Sequence, residues 1–254
     1  MKKLFRYCLF VASLILIWEC LARSGMYPEY LFPSTGKIFY TFIQDSSEIL
    51  LRARYSLTLI FLGLGSAVVG AVILAGASIS SKMVSEAVTT LMAIMHPLPG
   101  IALFPIALLW FGIGNKPIVI IIAFSALWPL IANIYNGLRS VPVTQLEAGK
   151  ILGLSGSRLI FSVMIPAALP NIITGLRVGW ARAWQALVAA EMVFGASGGE
   201  GGLGWLLYKR RFMMQTPGVF AGLLIIIIIG IIMENAILAT VENQTIRKWK
   251  TTID

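Results

Sequence analysis

Long apolar stretches alternate with short polar segments along most of the 254-residue chain. A helix that crosses a bilayer needs about 20 predominantly apolar residues, and six stretches satisfy that length. The first follows amino-terminal cations, but no small-x-small cleavage site comes after it, so it is interpreted as an uncleaved span rather than a signal peptide. The pattern predicts an all-α, polytopic membrane protein. The six predicted spans are 7–22, 55–79, 85–111, 117–138, 171–194 and 217–241.

The composition supports a membrane protein and excludes several other classes. Hydrophobic residues make up 58% of the chain and charged residues only 12%, whereas a soluble protein has about a quarter charged residues. Intrinsic disorder and a disulfide-stapled secreted domain are therefore excluded. Cys8 and Cys20 both lie in the first apolar stretch, and there is one histidine. We expect no metal, no cofactor and no catalytic residues.

The cations lie mostly at the ends of apolar stretches, which explains the net charge of +9 without a nucleic-acid partner. If the amino terminus is cytoplasmic, 12 of the 20 Lys and Arg residues fall on the cytoplasmic side. Lys2, Lys3 and Arg6 flank the first stretch, where charge usually counts most. With six spans, both termini are then predicted to be cytoplasmic.

Three regions are predicted from these patterns. Residues 1–54 hold the first span and a helix over 36–51, which Ser34 or Thr35 can cap and which is interpreted as lying on the outer surface of the bilayer. Residues 55–241 form a transmembrane core of five spans. Residues 242–254 form a cytoplasmic tail.

The segment 139–171, between spans four and five, is too polar to cross a bilayer. Its pattern predicts a helix that begins near Pro142, a break at Gly153 and Gly156, and a second short helix over 157–164 that ends at Pro166. From the residues alone, two interpretations stay open. The segment is either a loop on the lipid headgroups or a docking site for a soluble partner.

The same segment resembles a known motif. Glu147-Ala148-Gly149, Gly153 and Val163-Met164-Ile165-Pro166 match the spacing of E-A-A-x3-G-x9-I-x-L-P, the EAA motif of ABC-transporter permeases that work with a solute-binding protein. Other stretches resemble the branch of these permeases that serves sulfonates, taurine, nitrate, bicarbonate and thiamine-precursor pyrimidines. They are 31–34, 96–115, 169–184, 189–192 and 201–207.

The resemblance implies the type I ABC importer permease fold and a place in the bacterial cytoplasmic (inner) membrane. It also implies a homodimer that works with two ATP-binding subunits and one solute-binding protein, and that carries a small, anionic solute. The chain has no G-x-x-x-x-G-K-[ST] sequence, so ATP hydrolysis belongs to a partner chain. The residues implied in coupling to the ATPase are Glu147, Ala148, Gly149, Gly153, Leu154, Ile165 and Pro166.

Spans three and five carry the polar residues and prolines that a lipid-facing helix would avoid. The missing amides of Pro97, Pro99 and Pro105 are expected to bend span three and to open a polar seam beside His96. In span five, helical spacing puts Trp184 and Glu191 on one face and Arg182 and Gln185 on another. The candidates for lining a pathway are His96, Pro99, Trp184, Gln185 and Glu191.

Other interpretations of these residues stay open. Glu191 can instead pair with a neighbouring helix, and His96 can be structural. Two competing classes are a secondary transporter, which would need no ATPase, and a membrane-embedded enzyme. The glycine-rich connector 195–204 is expected to face a binding protein or an outer gate, or simply to turn sharply.

Overall fold

The computed structural model describes residues 2–195 and 201–245, and this part of the chain is helical with no strand. The expected all-α architecture is therefore confirmed. Half of the connector 195–204 and most of the tail 242–254 lie outside the described residues. The helices are α1 Lys2–Arg23, α2 Thr35–Gln44, α3 Ser46–Ser80, α4 Lys82–Met95, α5 Phe104–Phe111, α6 Asn115–Arg139, α7 Val143–Ile151, α8 Gly156–Leu159, α9 Ile165–Phe194, α10 Leu203–Phe212, α11 Thr216–Ile231 and α12 Ala239–Thr245.

Four continuous helical segments in the described ranges are long and apolar enough to cross a membrane. They are Ser46–Ser80, Asn115–Arg139, Gly156–Phe194 and Thr216–Thr245. A fifth span is possible if the bent pair Lys82–Met95 and Gly100–Phe111 crosses as one unit. The first predicted span coincides with helix α1, which is not among these segments, so the sixth span stays a prediction.

The third predicted span, over 85–111, is not one helix, because the prolines that are expected to bend it divide it into two helices. Helix α4 ends at Met95, and the chain resumes in a 3-10 turn, Gly100–Leu103, that leads into α5. The two halves are bent by 91°. The cause is the sequence between them, because Pro97 and Pro99 lack amide hydrogens and disfavour helical geometry in the residues before them.

The predicted interfacial helix over 36–51 is also divided. Ser34 caps α2 by accepting the Lys37 N–H at 3.4 Å, as expected, but α2 ends at Gln44. Asp45 interrupts the helix, and its carboxylate binds the Arg210 guanidinium at 2.8 Å. Aspartate favours helix ends over helix interiors because its side chain competes for backbone hydrogen bonds. The second half of the predicted helix is the first part of α3.

The second short helix after Gly156 does not end at Pro166, contrary to the expectation. It passes through a π-turn, Ile160–Met164, and continues directly into α9. A π-turn widens the helix by one residue per turn. That widening relieves the clash between a proline ring and the carbonyl four residues earlier, so Pro166 is accommodated inside the continuous segment.

The described residues divide into two compact units. The first unit comprises 1–56 and 191–228. Here the Trp18 indole N–H donates to the Pro33 carbonyl at 3.0 Å, and its ring lies 4.9 Å from Phe32 and 5.0 Å from Phe220. Glu19 accepts the Thr35 amide at 2.9 Å. These contacts fix the end of α1 beside the start of α2.

The second unit comprises 57–190 and 229–254, and α6 is its central helix. Ile121, Ile122 and Ile131 of α6 are fully buried. Glycines let neighbouring helices approach α6 closely: a Cβ at Gly63 of α3 would lie 2.5 Å from Ile122, and one at Gly175 of α9 would lie 2.8 Å from Asn133. Small residues at such contacts are the usual means by which membrane helices pack.

Candidate functional site

The segment with the EAA-like motif is a short helix closed by a glycine turn. After α7, the Leu154 N–H donates to the Gly149 carbonyl at 3.0 Å and the Gly153 N–H donates to the Lys150 carbonyl at 2.9 Å. Gly153 has φ +79°. This is a Schellman motif, in which the last carbonyls of a helix are satisfied by a glycine in the left-handed conformation. The break predicted at Gly153 is confirmed, and its cause is the backbone conformation.

Gly149 holds α7 against the segment that follows. It is buried, and a Cβ there would lie 2.7 Å from Leu159 Cδ1 and 3.1 Å from Val163 Cγ2. A Cβ at Gly153, by contrast, would meet nothing within 4 Å. The two glycines therefore serve different purposes: Gly149 permits a close helix contact, and Gly153 permits the turn.

The other motif residues are divided between an exposed end and a packed base. Glu147 and Ala148 are exposed on α7, and Glu147 has no ion pair within the part of the chain that the structure describes. Leu154, Ile165 and Pro166 are half-buried. At the end of α7, Ile151 is 87% exposed and Leu152 79% exposed. Two adjacent exposed aliphatic residues on an otherwise polar loop are typical of a protein contact.

The second unit contains a cavity of about 520 Å³. The break between α4 and α5 forms one wall, one face of α9 forms another, and α6 supplies the rest. Its lining residues are His96, Pro97, Leu98, Pro99, Gly100, Ile101, Ser125, Trp128, Pro129, Arg182, Gln185, Ala186 and Ala189. Three of the five pathway candidates, His96, Pro99 and Gln185, are thus brought together.

The residues from α9 follow helical spacing. Arg182, Gln185, Ala186 and Ala189 lie at i, i+3, i+4 and i+7, which defines one face of a helix. Gly100, in the wall formed by the break between α4 and α5, packs tightly against α6, because a Cβ there would lie 1.9 Å from Ser125 Oγ. The Ser125 hydroxyl donates to the Ile121 carbonyl at 2.8 Å. Its hydrogen is therefore engaged in a hydrogen bond within α6.

Trp184 and Glu191, the other two pathway candidates, are not among the lining residues of this cavity. The Trp184 ring stacks on Trp180, with centroids 5.7 Å apart and planes inclined by 13°. Both tryptophans are buried, and Leu187, on the same face of α9, is completely buried. The face that carries Trp184 is therefore packed against protein.

Glu191 lies in the first unit and is 1% exposed. Its carboxylate accepts the Ser56 hydroxyl at 2.8 Å and the Gly204 N–H at 2.9 Å. Ser56 Oγ in turn accepts the Leu203 N–H at 2.9 Å. Glu191 and Ser56 together satisfy the first amides of α10, which have no partner within the helix itself. The alternative interpretation of Glu191, pairing with a neighbouring helix, matches this geometry.

Sequence reasoning missed several of these residues. Arg182 was placed on a separate face from the pathway candidates Trp184 and Glu191, although its spacing to Gln185 and Ala189 marks the face that lines the cavity. Trp128 and Ser125 lie in a stretch so uniformly apolar that periodicity gives no orientation for them. No sequence pattern indicates the role of Ser56, because a single serine near the start of a helix is common.

A helical membrane chain with a broken span, a cavity that holds an arginine and an exposed loop helix has the features of a membrane transport subunit. The comparison with protein families specifies the class further. Residues 67–239 match the model of the binding-protein-dependent transport system inner membrane component. The chain belongs to this family of ABC importer permeases. It is therefore a non-catalytic transport subunit of a multi-pass inner-membrane system, and its ATPase and solute-binding protein are separate chains.

Several relatives are similar over most of the chain. The formylaminopyrimidine transport permease protein ThiX of Halalkalibacterium halodurans is 33% identical over 228 residues, 88% of this chain and 88% of that protein. The taurine transport system permease protein TauC of Escherichia coli is 32% identical over 75% of this chain and 68% of its own length. The nitrate import permease protein NrtB of Synechocystis is 27% identical over 92% and 87%.

A solved structure shares the fold. The chain from a crystal structure described as an amino acid ABC transporter with histidines superposes with a TM-score of 0.62 at 19% identity, covering 81% of this chain and 98% of that one. The architecture of this protein is therefore that of ABC importer permeases.

Proposed function

We propose that the chain forms, as a homodimer, the translocation pathway for a small anionic solute, and that α7 and its glycine turn couple this pathway to the ATPase. The coupling role is supported by one observation: the glycine turn closes α7, and Ile151 and Leu152 are exposed at the end of that helix. A short, rigid helix with an apolar tip can transmit a movement of the ATPase to α9, because the segment from Gly156 to Phe194 is one continuous helix.

A second copy of the chain is supported by the exposure of polar residues inside a predicted span. Arg182 and Gln185 are exposed in the single chain although both lie within Gly156–Phe194. A charged side chain facing lipid is costly, so such residues face a bundle interior or a water-filled cavity. A partner copy that covers this face of α9 would supply that environment.

An anionic solute is favoured by the cavity and by two relatives. The relatives TauC and NrtB are described by their names as taurine and nitrate permeases. Taurine carries an anionic sulfonate, and nitrate is itself an anion. The third relative, ThiX, is described as a formylaminopyrimidine permease, which makes a pyrimidine the alternative. Arg182 in the cavity favours the acidic solute.

The remaining assignments complete the proposal. Residues 1–54 carry the first span and helix α2, 55–241 form the permease core, and 242–254 form a tail. Both termini are cytoplasmic, which places α7 on the side of the ATPase. His96, Pro99 and Gln185 line the pathway, whereas Trp184 and Glu191 support it from buried positions.

The coupling role is tested by replacing Gly153. Gly153→Val puts a β-branched residue at φ +79°, a conformation that costs an L-residue about 1–2 kcal/mol, whereas asparagine tolerates it. We expect Gly153→Val to reduce recovery of the ATPase with the permease by about fivefold to thirtyfold and to abolish solute import. Gly153→Asn should retain most of both.

Membrane levels of each variant, measured by immunoblot, separate a coupling defect from loss of the protein. Ile151→Glu should weaken ATPase recovery as well, whereas Ile113→Glu should not. Ile113 lies just before α6 and Ile151 lies beyond its other end, and the 25 residues of α6 are roughly 37 Å long. Normal ATPase recovery with Gly153→Val and Ile151→Glu would contradict the coupling role. Import that continues without any ATPase would favour a secondary transporter.

A further inference from the structure

Arg182 is a cation without an acidic partner inside a membrane span. No ion pair involves it among the described residues, and its lining neighbours in the cavity include no Asp or Glu. The other arginine of α9, Arg177, is paired: its guanidinium lies 3.2 Å from Glu234 and 2.7 Å from Glu242. An unpaired charge in a span is expensive, and such residues mark substrate or ion pathways.

Trp128 adds a second donor to the same cavity. Its indole N–H is buried and has no acceptor anywhere in the described ranges. A buried donor without a partner is energetically unfavourable, which favours an acceptor supplied from the cavity. The Trp128 ring is fixed edge-on against Phe124, with centroids 5.7 Å apart, so its donor is held in place.

The broken span supplies the opposite wall. Irregular backbone at membrane depth is tolerated where it lines a cavity, and helix breaks of this kind form solute sites in transporters. His96 at the end of α4 and Gln185 on α9 add neutral polar groups to a lining that has one formal positive charge. A volume of about 520 Å³ is within the range of small-molecule sites.

We propose that this cavity is a binding site, within the permease itself, for the acidic head of the solute: a sulfonate, nitrate or carboxylate held by the Arg182 guanidinium and the Trp128 indole N–H. This inference rests on the proposed import function and adds a step to it. The solute released by the binding protein is held at Arg182 before it crosses, so the permease contributes selectivity of its own.

The test measures binding of radiolabelled methanesulfonate to the permease–ATPase complex in phosphatidylcholine nanodiscs, with no binding protein present. These nanodiscs contain no anionic lipid that could occupy the cavity instead. Neutral dimethyl sulfone, which has nearly the same shape, serves as competitor. Unlabelled nitrate and formate are competed as further acidic probes. The ATPase activity of the same preparation is recorded alongside.

We expect Arg182→Gln to weaken methanesulfonate binding about tenfold or more, since hydrogen bonds to charged groups are the strong ones. Arg182→Lys should retain part of the affinity, and Trp128→Phe, which removes the indole N–H together with one ring, should weaken binding. Two controls match these changes: Lys116→Gln and Trp110→Phe, both at exposed positions that do not line the cavity. Neither control should alter binding.

Three results would contradict the proposed binding site. They are no binding of any acidic probe, competition by dimethyl sulfone as strong as that by unlabelled methanesulfonate, or equal losses of methanesulfonate binding in Arg182→Gln and Lys116→Gln. If ATPase recovery and import are normal in such a case, the permease function stands and only the internal site is rejected. If the ATPase is not recovered but methanesulfonate still depends on Arg182, the site stands and the ABC coupling is rejected.

Discussion

At the scale of single residues, Glu191 shows how a buried carboxylate in this protein is used for structure. Its two oxygens accept donors from Ser56 and Gly204, so the charge-bearing group is fully occupied by hydrogen bonds. Gly202 makes this arrangement possible, because a Cβ there would lie 2.0 Å from Glu191 Oε1 and 2.4 Å from Ser56 Oγ. The site has no room for a side chain at position 202.

Gly202→Ala therefore displaces the carboxylate or the start of α10. We expect the midpoint of thermal unfolding to fall by about 3–10 °C, the range that follows from an overpacking cost of about 1–3 kcal/mol. Differential scanning fluorimetry of the purified permease measures it. Gly65→Ala is the matched control, since a Cβ at Gly65 would meet nothing within 4 Å. An unchanged midpoint in Gly202→Ala would show that the cluster is not tightly packed.

The sequence could indicate which residues of span five are unusual but not which of them face the cavity. Both faces carry residues that are unusual in a membrane span: Trp184 and Glu191 on one face, Arg182 and Gln185 on the other. The choice depends on which face packs against protein, and that is set by contacts such as the one between Glu191 and Ser56, 135 residues apart. Periodicity defines faces of a helix and leaves their environment undetermined.

At the scale of elements, α9 packs on α6 through two glycines four residues apart. A Cβ at Gly175 would lie 2.8 Å from Asn133 Cβ, and one at Gly179 would lie 3.0 Å from Leu130 Cγ. This is the small-xxx-small spacing by which membrane helices approach each other. The close packing holds α9 in position, and with it the face that carries Arg182.

Replacing Gly175 with valine should separate α9 from α6. The clash is with a Cβ atom, which cannot rotate away, so we expect a lower midpoint of thermal unfolding and a loss of import together. Gly76→Val provides the control, because Gly76 is exposed on α3 and its added side chain would meet no atom within 4 Å. Equal effects from both variants would contradict a specific role for the α6–α9 contact.

The sequence predicted most elements correctly but not their interruptions. The apolar periodicity located α6 and α9 to within a few residues at most ends, and Ser34 correctly marked the start of α2. The prolines predict a bend in span three, but the pattern alone cannot tell a kink from the 91° break that the structure has at 96–99. The apolar pattern of span six likewise gives no sign that Glu234, near the end of that span, pairs with Arg177.

At the scale of the whole molecule, the proposed orientation in the membrane rests on the distribution of charge along the chain. The proposed topology puts the α7 loop in the cytoplasm and the basic end of α10, which carries Lys209, Arg210 and Arg211, on the other side. The latter cations weaken the charge asymmetry that normally sets orientation. Two of them are paired: Arg210 lies 2.6 Å from Glu48, and Lys209 lies 3.7 Å from it.

Single cysteines test this topology directly. In a background where Cys8 and Cys20 are replaced by serine, Ser155→Cys should resist a membrane-impermeant maleimide in intact cells, and Met213→Cys should react. Both positions are exposed, so accessibility on each side of the membrane decides the outcome. After permeabilisation both cysteines should react. The opposite pattern in intact cells would place α7 where no ATPase could reach it.

The capping of α10 by Glu191 and Ser56 also has a consequence for the order of biogenesis. Ser56 precedes Leu203 by 147 residues, whereas Glu191 precedes Gly204 by only 13. Glu191 and its amide donors in α10 therefore leave the ribosome close together, long after the Ser56 hydroxyl. The short helix α10 completes the burial of Glu191 against a serine that was synthesised with span two. A chain truncated before residue 203 would leave the Glu191 carboxylate without the amide donors of α10.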